Sequence, residues 1–448
     1  MMKILSALCV LKPLDCYSSL EGFDTERLHG LIAQSGITGK GWYGLPAYEK
    51  WAGFASQSGE KEIVCLISGD CADALMECNA AAVYAGVALT AKAFGMSRVY
   101  IVLDRQFEVP ESLFGVSFYP YTIERTLSSG EETRVFAAIE NDVPIARIEP
   151  PYPTEKGLFG RPTLIHSAEF FAHIPYLCAG CDIDTKIIKL CGDIPAEGFC
   201  EVSIGTPIYE IADLSAAKAV QIGGVTGRLI PKSDFNIVWN SGDFLIGDGS
   251  FRVIGKDRCI AKHVAVCCEQ AYPSSCGKCV FCREGVYQQY LLWQDITSGK
   301  ATNTDLQTIS TLAEVMSDNS ACGYGQSIGA MIVSALRGFA DEIDQHISAK
   351  KCPELVCPSM IRVYISPEKC VGCGKCAELC GVNAINGSVG LIHIIDAEKC
   401  IRCLDCIKAG CDAITRISAR AIVPALPEVP VPVGTFVPKK RGLQRRAK

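Results

Sequence analysis

The sequence has no strong charge of either sign, no long uninterrupted hydrophobic run and no convincing leader. A formal charge of -6 over 448 residues gives no electrostatic reason to expect a nucleic acid, and the only basic run is the tail PKKRGLQRRAK. The most apolar long stretch, NAAAVYAGVALTAKAF at 79–94, contains Lys92 and falls short of the roughly 20 residues a membrane span requires. It reads as a buried helix, so no transmembrane segment is expected. The start MMKILSALCVLKP has a short apolar run that Lys12 and Pro13 interrupt before any small-residue cleavage signal. A cytoplasmic location is therefore expected. An apolar fraction of 49% excludes a disordered or fibrous chain, and the length suits about three domains.

What is abundant is cysteine, with 26 residues. Secreted disulfide scaffolds are usually shorter than about 80 residues, so here the thiols read as metal ligands in a reducing compartment. Two stretches repeat one another: SPEKCVGCGKCAELCGVNAI (366–385) and DAEKCIRCLDCIKAGCDAI (396–414). Each follows a strand-like run, IRVYI or LIHII, which predicts two similar halves about a pseudo-twofold axis. Cys370, Cys373, Cys376 and Cys380 follow C-x2-C-x2-C-x3-C. In two-cluster ferredoxins the fourth cysteine of such a run ligates the other cluster. That assigns Cys370, Cys373, Cys376 and Cys411 to one [4Fe-4S] centre, and Cys400, Cys403, Cys406 and Cys380 to a second. Two departures stand out. Gly381 and Asp412 occupy positions where proline is usual, and four residues separate Cys406 from Cys411. Paired C-x2-C steps also build zinc sites, but the double rhythm of eight cysteines favours cubanes. The segment resembles bacterial two-[4Fe-4S] ferredoxins over about 60 residues.

The stretch SSCGKCVFCREG (274–285) places Cys276, Cys279 and Cys282 in the same rhythm without a near fourth ligand. Cys322 is the only cysteine between Cys282 and Cys352, and it sits in ACGYGQSIGAMIVSALRGF, where glycines permit close backbone approach. It is the expected fourth ligand; a structural zinc is the competing reading. With ALRGFADEIDQH downstream, these motifs resemble the NADH-binding flavoprotein subunit of respiratory complex I and its relatives over residues 30–350. Those relatives include the β subunits of electron-bifurcating hydrogenases and NAD-dependent formate dehydrogenases. The resemblance implies one [4Fe-4S] cluster beside an FMN. Hydrogenase-type members add a C-terminal two-cluster ferredoxin domain, so the architecture resembles that anaerobic branch.

The expected fold class is multidomain α/β plus α. A Rossmann-like flavoprotein-type α/β domain (1–180) precedes a β-grasp module (181–250) and a helical [4Fe-4S] bundle (251–350). A linker (351–360), a ferredoxin-like 2x[4Fe-4S] domain (361–420) and a Pro-rich basic tail (421–448) follow. A further constellation, His346, Cys352 and Cys357 completed by Cys268 or Cys267, has zinc chemistry, and the hydrogenase-like relatives imply a metal there too. Cys178 and Cys181, with Cys191 and Cys200, read as buried small hydrophobes rather than ligands.

The resemblance also locates the flavin site. Its glycine-rich loop, followed by a lysine and a tryptophan, corresponds to GKGWYGLPAYEKW, which keeps Gly39, Gly41, Gly44, Pro46, Lys50 and Trp51. Trp42 and Tyr43 replace small residues whose backbone would touch the flavin. Leu66 stands for an asparagine, no Glu-Pro-Gly turn follows it, and His166 and Ser167 stand for two further asparagines. The expectation is an electron-transfer subunit relaying single electrons through three [4Fe-4S] clusters, with FMN and NAD(H) sites degenerate. Its partners would be other subunits of an oxidoreductase complex, or a ferredoxin. The alternatives are an active FMN-containing NAD(P)H:ferredoxin oxidoreductase of bifurcating type, and a structural adapter whose clusters staple the fold.

Overall fold

The computed structural model describes residues 25–39, 46–181, 185–238, 247–424 and 426–437. The chain divides into two compact units, one of Met1–Lys256, Val266–Leu291 and Gln307–Phe339, the other of Asp257–Ala265, Leu292–Leu306 and Ala340–Lys448.

The first unit is built on two sheets. The short β-branched run EIVCLI forms β1 (Glu62–Ile67), flanked by β2 (Arg98–Leu103) and β5 (Thr163–Ser167) in parallel. Beyond β2 lie parallel β4 (Val116–Thr122) and antiparallel β3 (Ser112–Leu113), giving the order β3-β4-β2-β1-β5. β1 and β2 are buried almost throughout, as parallel strands covered on both faces should be. The alanine-rich helix Asp70–Ala93 covers one face and packs on the helix Ala168–Cys178. Gly86 marks the contact: a Cβ there would lie 1.8 Å from the Phe171 carbonyl oxygen. The same helix breaks at Asn79, whose φ/ψ of -155°/57° are not helical. Its side chain repairs the break, accepting from Ala82 N and donating to Tyr176 Oη. Among the described residues this is the one helix long and apolar enough to cross a membrane, and 78% of its apolar window is buried.

The second sheet has β6 (Thr185–Gly192), β7 (Gly198–Ser203), β8 (Ala217–Ile222), β9 (Arg228–Pro231) and β10 (Ser250–Gly255), in the order β7-β6-β10-β8-β9. Only β6 and β10 run parallel. Glu169 ties the sheet to the first one: it pairs with Lys186 in a buried ion pair and accepts from Ile187 N at 2.6 Å.

In the second unit, β11 (Ile361–Ile365) pairs antiparallel with β14 (Ile414–Ser418), and β12 (Ile385–Asn386) with β13 (Ile394–Ile395). Each repeat thus contributes a strand before and after its cysteine loop. The loops share backbone as well as sequence, because Gly372 and Gly374 in one, and Arg402 and Leu404 in the other, all have φ between 59° and 78°. The proline-rich segment beyond them lies along the first half: Ile392 N donates to Val431 O and Val433 N to Gly390 O.

Candidate functional site

Cys276, Cys279, Cys282 and Cys322 line one small recess together with Ser128, Glu131 and Arg134. Cys322 is the N-cap of the helix Gly323–Gly338, without a side-chain capping hydrogen bond, and the N-H groups of Tyr324 and Gly325 nearby favour its ionised form. Such donors favour a thiolate, although burial dominates and pushes the free thiol up to about 12. Gly325 allows the approach, since a Cβ there would lie 3.0 Å from that of Cys282. Four thiols converging on one recess form a donor set that suits an iron–sulfur cluster.

In the second unit, Cys370, Cys376 and Cys406 are buried in one apolar cluster, with Cys380 and Cys411 packed against it. Burial first, and then the neighbouring Cys370 and Cys373, raise the pKa of the Cys376 thiol. The Cys406 thiol is pushed up to about 11, first by burial and then by Cys400, Cys403, Cys376 and Cys380. Cys376 and Cys380, both from the first repeat, therefore stand near Cys406 of the second.

A third cage is tighter. The ligand atoms of Cys259, His346, Cys352 and Cys357 all lie within 4.8 Å of one another, and all four residues are buried. The Cys259 Sγ is 3.7 Å from the Cys357 Sγ and 3.2 Å from His346 Nε2, which is 3.5 Å from the Cys357 Sγ. Tetrahedral zinc with Zn–S near 2.3 Å and Zn–N near 2.05 Å requires S···S of about 3.8 Å and S···N of about 3.6 Å. His346 Nδ1 lies 2.8 Å from the Glu342 carbonyl oxygen, which directs Nε2 at the thiols. Hydrogen bonds from Cys259 and then Cys357 hold the Cys352 thiol below the ordinary thiol range. The donor set fits zinc.

The expected fourth ligand of this cage was Cys268, or Cys267, and the structure replaces it with Cys259. Cys268 is buried within the helix Ile260–Ala271, whereas Cys259 immediately precedes that helix and accepts from Lys262 N. Nine residues of helix separate the two by about 13 Å. The missed signal is a cysteine in an N-cap position. Cys178, Cys181, Cys191 and Cys200 form no ligand group among the described residues.

The parallel strands end at a cavity of about 1320 Å³, lined by Leu66 on β1, Ser68 and Gly69 after it, Asp104 after β2, Arg125 after β4 and His166 on β5. The carboxyl end of such a sheet is the usual ligand position in open α/β folds. The cavity also reaches Ser320, Ala321 and Gly323, and it shares Glu131 and Ala321 with the cysteine recess. Of the flavin-loop residues, Gly39 lines the cavity; Gly41, Trp42, Tyr43 and Gly44 lie outside the described residues. Lys50 donates to Glu132 Oε1 at 2.5 Å and to the Ile165 carbonyl oxygen at 2.8 Å. Trp51 is fully buried and donates to His166 Nε2 at 3.0 Å. His166 stacks on Phe170 at 3.8 Å, and burial followed by Lys50 holds its pKa well below the usual value. It is therefore a neutral core histidine. Arg125 is held by Asp70 at 2.6 Å and Asp73 at 2.8 Å. The sequence motifs did not single out Glu131, Glu132 or Arg125; the run SSGEET, a capping sequence before an apolar helix, was the available signal.

Residues 262–346 match the NADH-ubiquinone oxidoreductase-F iron-sulfur binding region, and residues 363–386 match the 4Fe-4S binding domain. The chain is similar to the NADH-quinone oxidoreductase F subunits over most of its length. It is 29% identical over 412 residues to the NADP-reducing hydrogenase subunit HndC of Solidesulfovibrio fructosivorans, covering 80% of this chain and 84% of the relative. It is 25% identical to NADH-quinone oxidoreductase F subunit 2 of Rhizobium meliloti, covering 75% of this chain and 92% of the relative. A crystal structure of NAD+-reducing [NiFe]-hydrogenase in the H2-reduced state shares the fold with a TM-score of 0.65 at 19% identity, covering 75% of this chain and 67% of that one. The chain is thus similar to iron–sulfur subunits of the NADH-dehydrogenase and hydrogenase type, and carries their iron–sulfur binding region and a 4Fe-4S binding domain.

Proposed function

We propose that the chain is an electron-relay subunit of an anaerobic multisubunit oxidoreductase, carrying three [4Fe-4S] clusters and a nucleotide site rebuilt so that FMN and NADH no longer bind. The clusters would supply one-electron transfer. Their ligands would be Cys276, Cys279, Cys282 and Cys322; Cys370, Cys373, Cys376 and Cys411; and Cys400, Cys403, Cys406 and Cys380. Zinc held by Cys259, His346, Cys352 and Cys357 would brace the second unit. The same proposal includes the six-part organisation with its Rossmann-like and β-grasp modules, and other subunits or a ferredoxin as partners.

The observation that carries the rebuilt site is the state of Lys50. Resemblance gives this lysine to a flavin phosphate, yet its ammonium is already engaged by Glu132 and by the Ile165 carbonyl. Leu66 adds an apolar side chain to the same wall. Each buried phosphate or ring contact left without its donor costs about 1–3 kcal/mol, so a few such losses weaken binding by several orders of magnitude.

Anaerobic purification with quantification of iron, sulfide, zinc and flavin tests this reading. About 12 irons per chain with matching sulfide are expected, with no stoichiometric flavin. A reproducible value near eight removes one cluster. Stoichiometric FMN instead favours an active NAD(P)H:ferredoxin oxidoreductase.

A further inference from the structure

We propose that the cavity at the ends of the parallel strands binds an organic polyamine-type cation. This inference rests on the reading that the nucleotide site has been rebuilt, and it assigns that cavity a different class of ligand.

The charge on the wall comes first. Lys50 and Arg125 are the only lysine or arginine among the described lining residues. Both are engaged internally, Lys50 by Glu132 and Arg125 by Asp70, Asp73 and, at 3.6 Å, Asp104. Facing them are Glu49, Glu124, Glu131, Glu149 and Asp248. Among the described residues, no ion pair joins any of these five to a lysine or arginine. Among the described residues, a phosphate or pyrophosphate entering here would find several carboxylates and no lysine or arginine outside an ion pair. Glu149 shows the strain of this arrangement: its pKa is pushed up to about 7, by burial first and then by Glu132 and Glu131. An incoming cation relieves that repulsion; an anion adds to it.

A second observation is independent of the carboxylate count. The Asp104 side chain is fully buried; its Oδ2 accepts from Ser68 Oγ at 2.7 Å and Gly69 N at 3.1 Å and lies 3.6 Å from Arg125 Nε. Among the described residues its Oδ1 has no hydrogen-bond partner, and neither do Thr126 Oγ1 and Ser320 Oγ on the same wall. Buried polar atoms are ordinarily satisfied, so these acceptors call for donors brought by a ligand. An ammonium group brings three N-H donors and no acceptor.

Size and apolar surface distinguish an organic cation from a metal ion. The cavity of about 1320 Å³ is far larger than a first shell of oxygen ligands at about 2.3–2.6 Å requires. Between the carboxylates lie Leu66, Leu127, Ile148 and Ile165, against which methylene spacers can pack. Ammonium groups separated by short alkyl links match this alternation.

The test uses the full chain, purified anaerobically with its metals, and spermidine as the probe. Isothermal titration at physiological salt should show one saturable site. Asp104→Asn should weaken it at least tenfold, and Glu149→Gln, at a half-buried position, should weaken it less. FMN and NADH are titrated under the same conditions. Should Asp104→Asn fail to fold, the loss in Glu149→Gln decides. Absent or non-saturating spermidine binding, or binding unchanged in the variants, overturns the polyamine assignment; if FMN and NADH are also silent, the relay reading stands. Stoichiometric FMN or NADH binding overturns the relay reading and this inference with it.

Discussion

The Cys259 and Cys357 sulfurs lie 3.7 Å apart in the buried core of the second unit, although 98 residues separate them in sequence. Thiols this close, with a histidine nitrogen facing both, have the spacing of ligands on one tetrahedral ion. The expected outcome is one zinc per chain by elemental analysis. Cys259→Ser should release it and lower the thermal stability of the second unit, whereas Cys268→Ser should retain full zinc content. Zinc lost in Cys268→Ser and kept in Cys259→Ser would reverse the assignment.

Cys322 gives the second prediction. Because it joins Cys276, Cys279 and Cys282 at one recess, Cys322→Ser should lose or convert one cluster and leave the two ferredoxin-like centres intact in electron paramagnetic resonance. Cys380→Ser should perturb the centre of Cys400, Cys403 and Cys406, although Cys380 belongs to the other repeat. Spectra in which it disturbs only the Cys370 centre would mean that the ligands are not exchanged between repeats.

The cysteine rhythm was legible because cluster loops are local: three ligands fall within seven residues, and only the fourth must be found by reasoning about the fold. The βαβ start was legible for a similar reason, since EIVCLI and RVYIVL are short apolar runs on either side of a helix of unmistakable length. Cys259 was not, because a ligand 87 residues from its histidine leaves no spacing to read. The kink at Asn79 was equally hidden, since it depends on Tyr176 from another helix. The engagement of Lys50 by Glu132 spans 82 residues and appears only in three dimensions.

The two ferredoxin-like loops differ in what their left-handed positions tolerate. A Cβ at Gly372 would approach the Gly390 backbone to 2.9 Å, and φ there is 68°. The matching position of the second repeat is Arg402, at φ 59°. Gly372→Ala should therefore cost about 1–3 kcal/mol of local stability and make the Cys370 centre more labile to chelators. Arg402→Gly should relieve about 1 kcal/mol of backbone strain, partly offset by added freedom in the unfolded chain, and leave its centre unchanged. Equal lability in the two variants would show that the contact with Gly390 does not govern the loop.

Glu149 supplies a pH prediction whose sign follows from its surroundings. Burial and the neighbouring Glu132 and Glu131 raise its pKa from 4.5 to about 7. Between those values the folded chain holds a proton that the unfolded chain has released, so the contribution is fully present below about pH 4.5 and is lost as pH rises through about 7. Glu149→Gln removes this dependence. The group is half-exposed, so solvent and salt reduce the effect, and the variant should gain only about one or two degrees in melting temperature at pH 8. At pH 5 the two proteins should melt nearly together, because the glutamate is then largely protonated in the folded chain. Differential scanning measurements at both pH values, in the absence of any polyamine, check it. A variant less stable than the parent at pH 8 would mean that the Glu149 carboxylate makes a favourable contact outweighing its repulsion from Glu131 and Glu132.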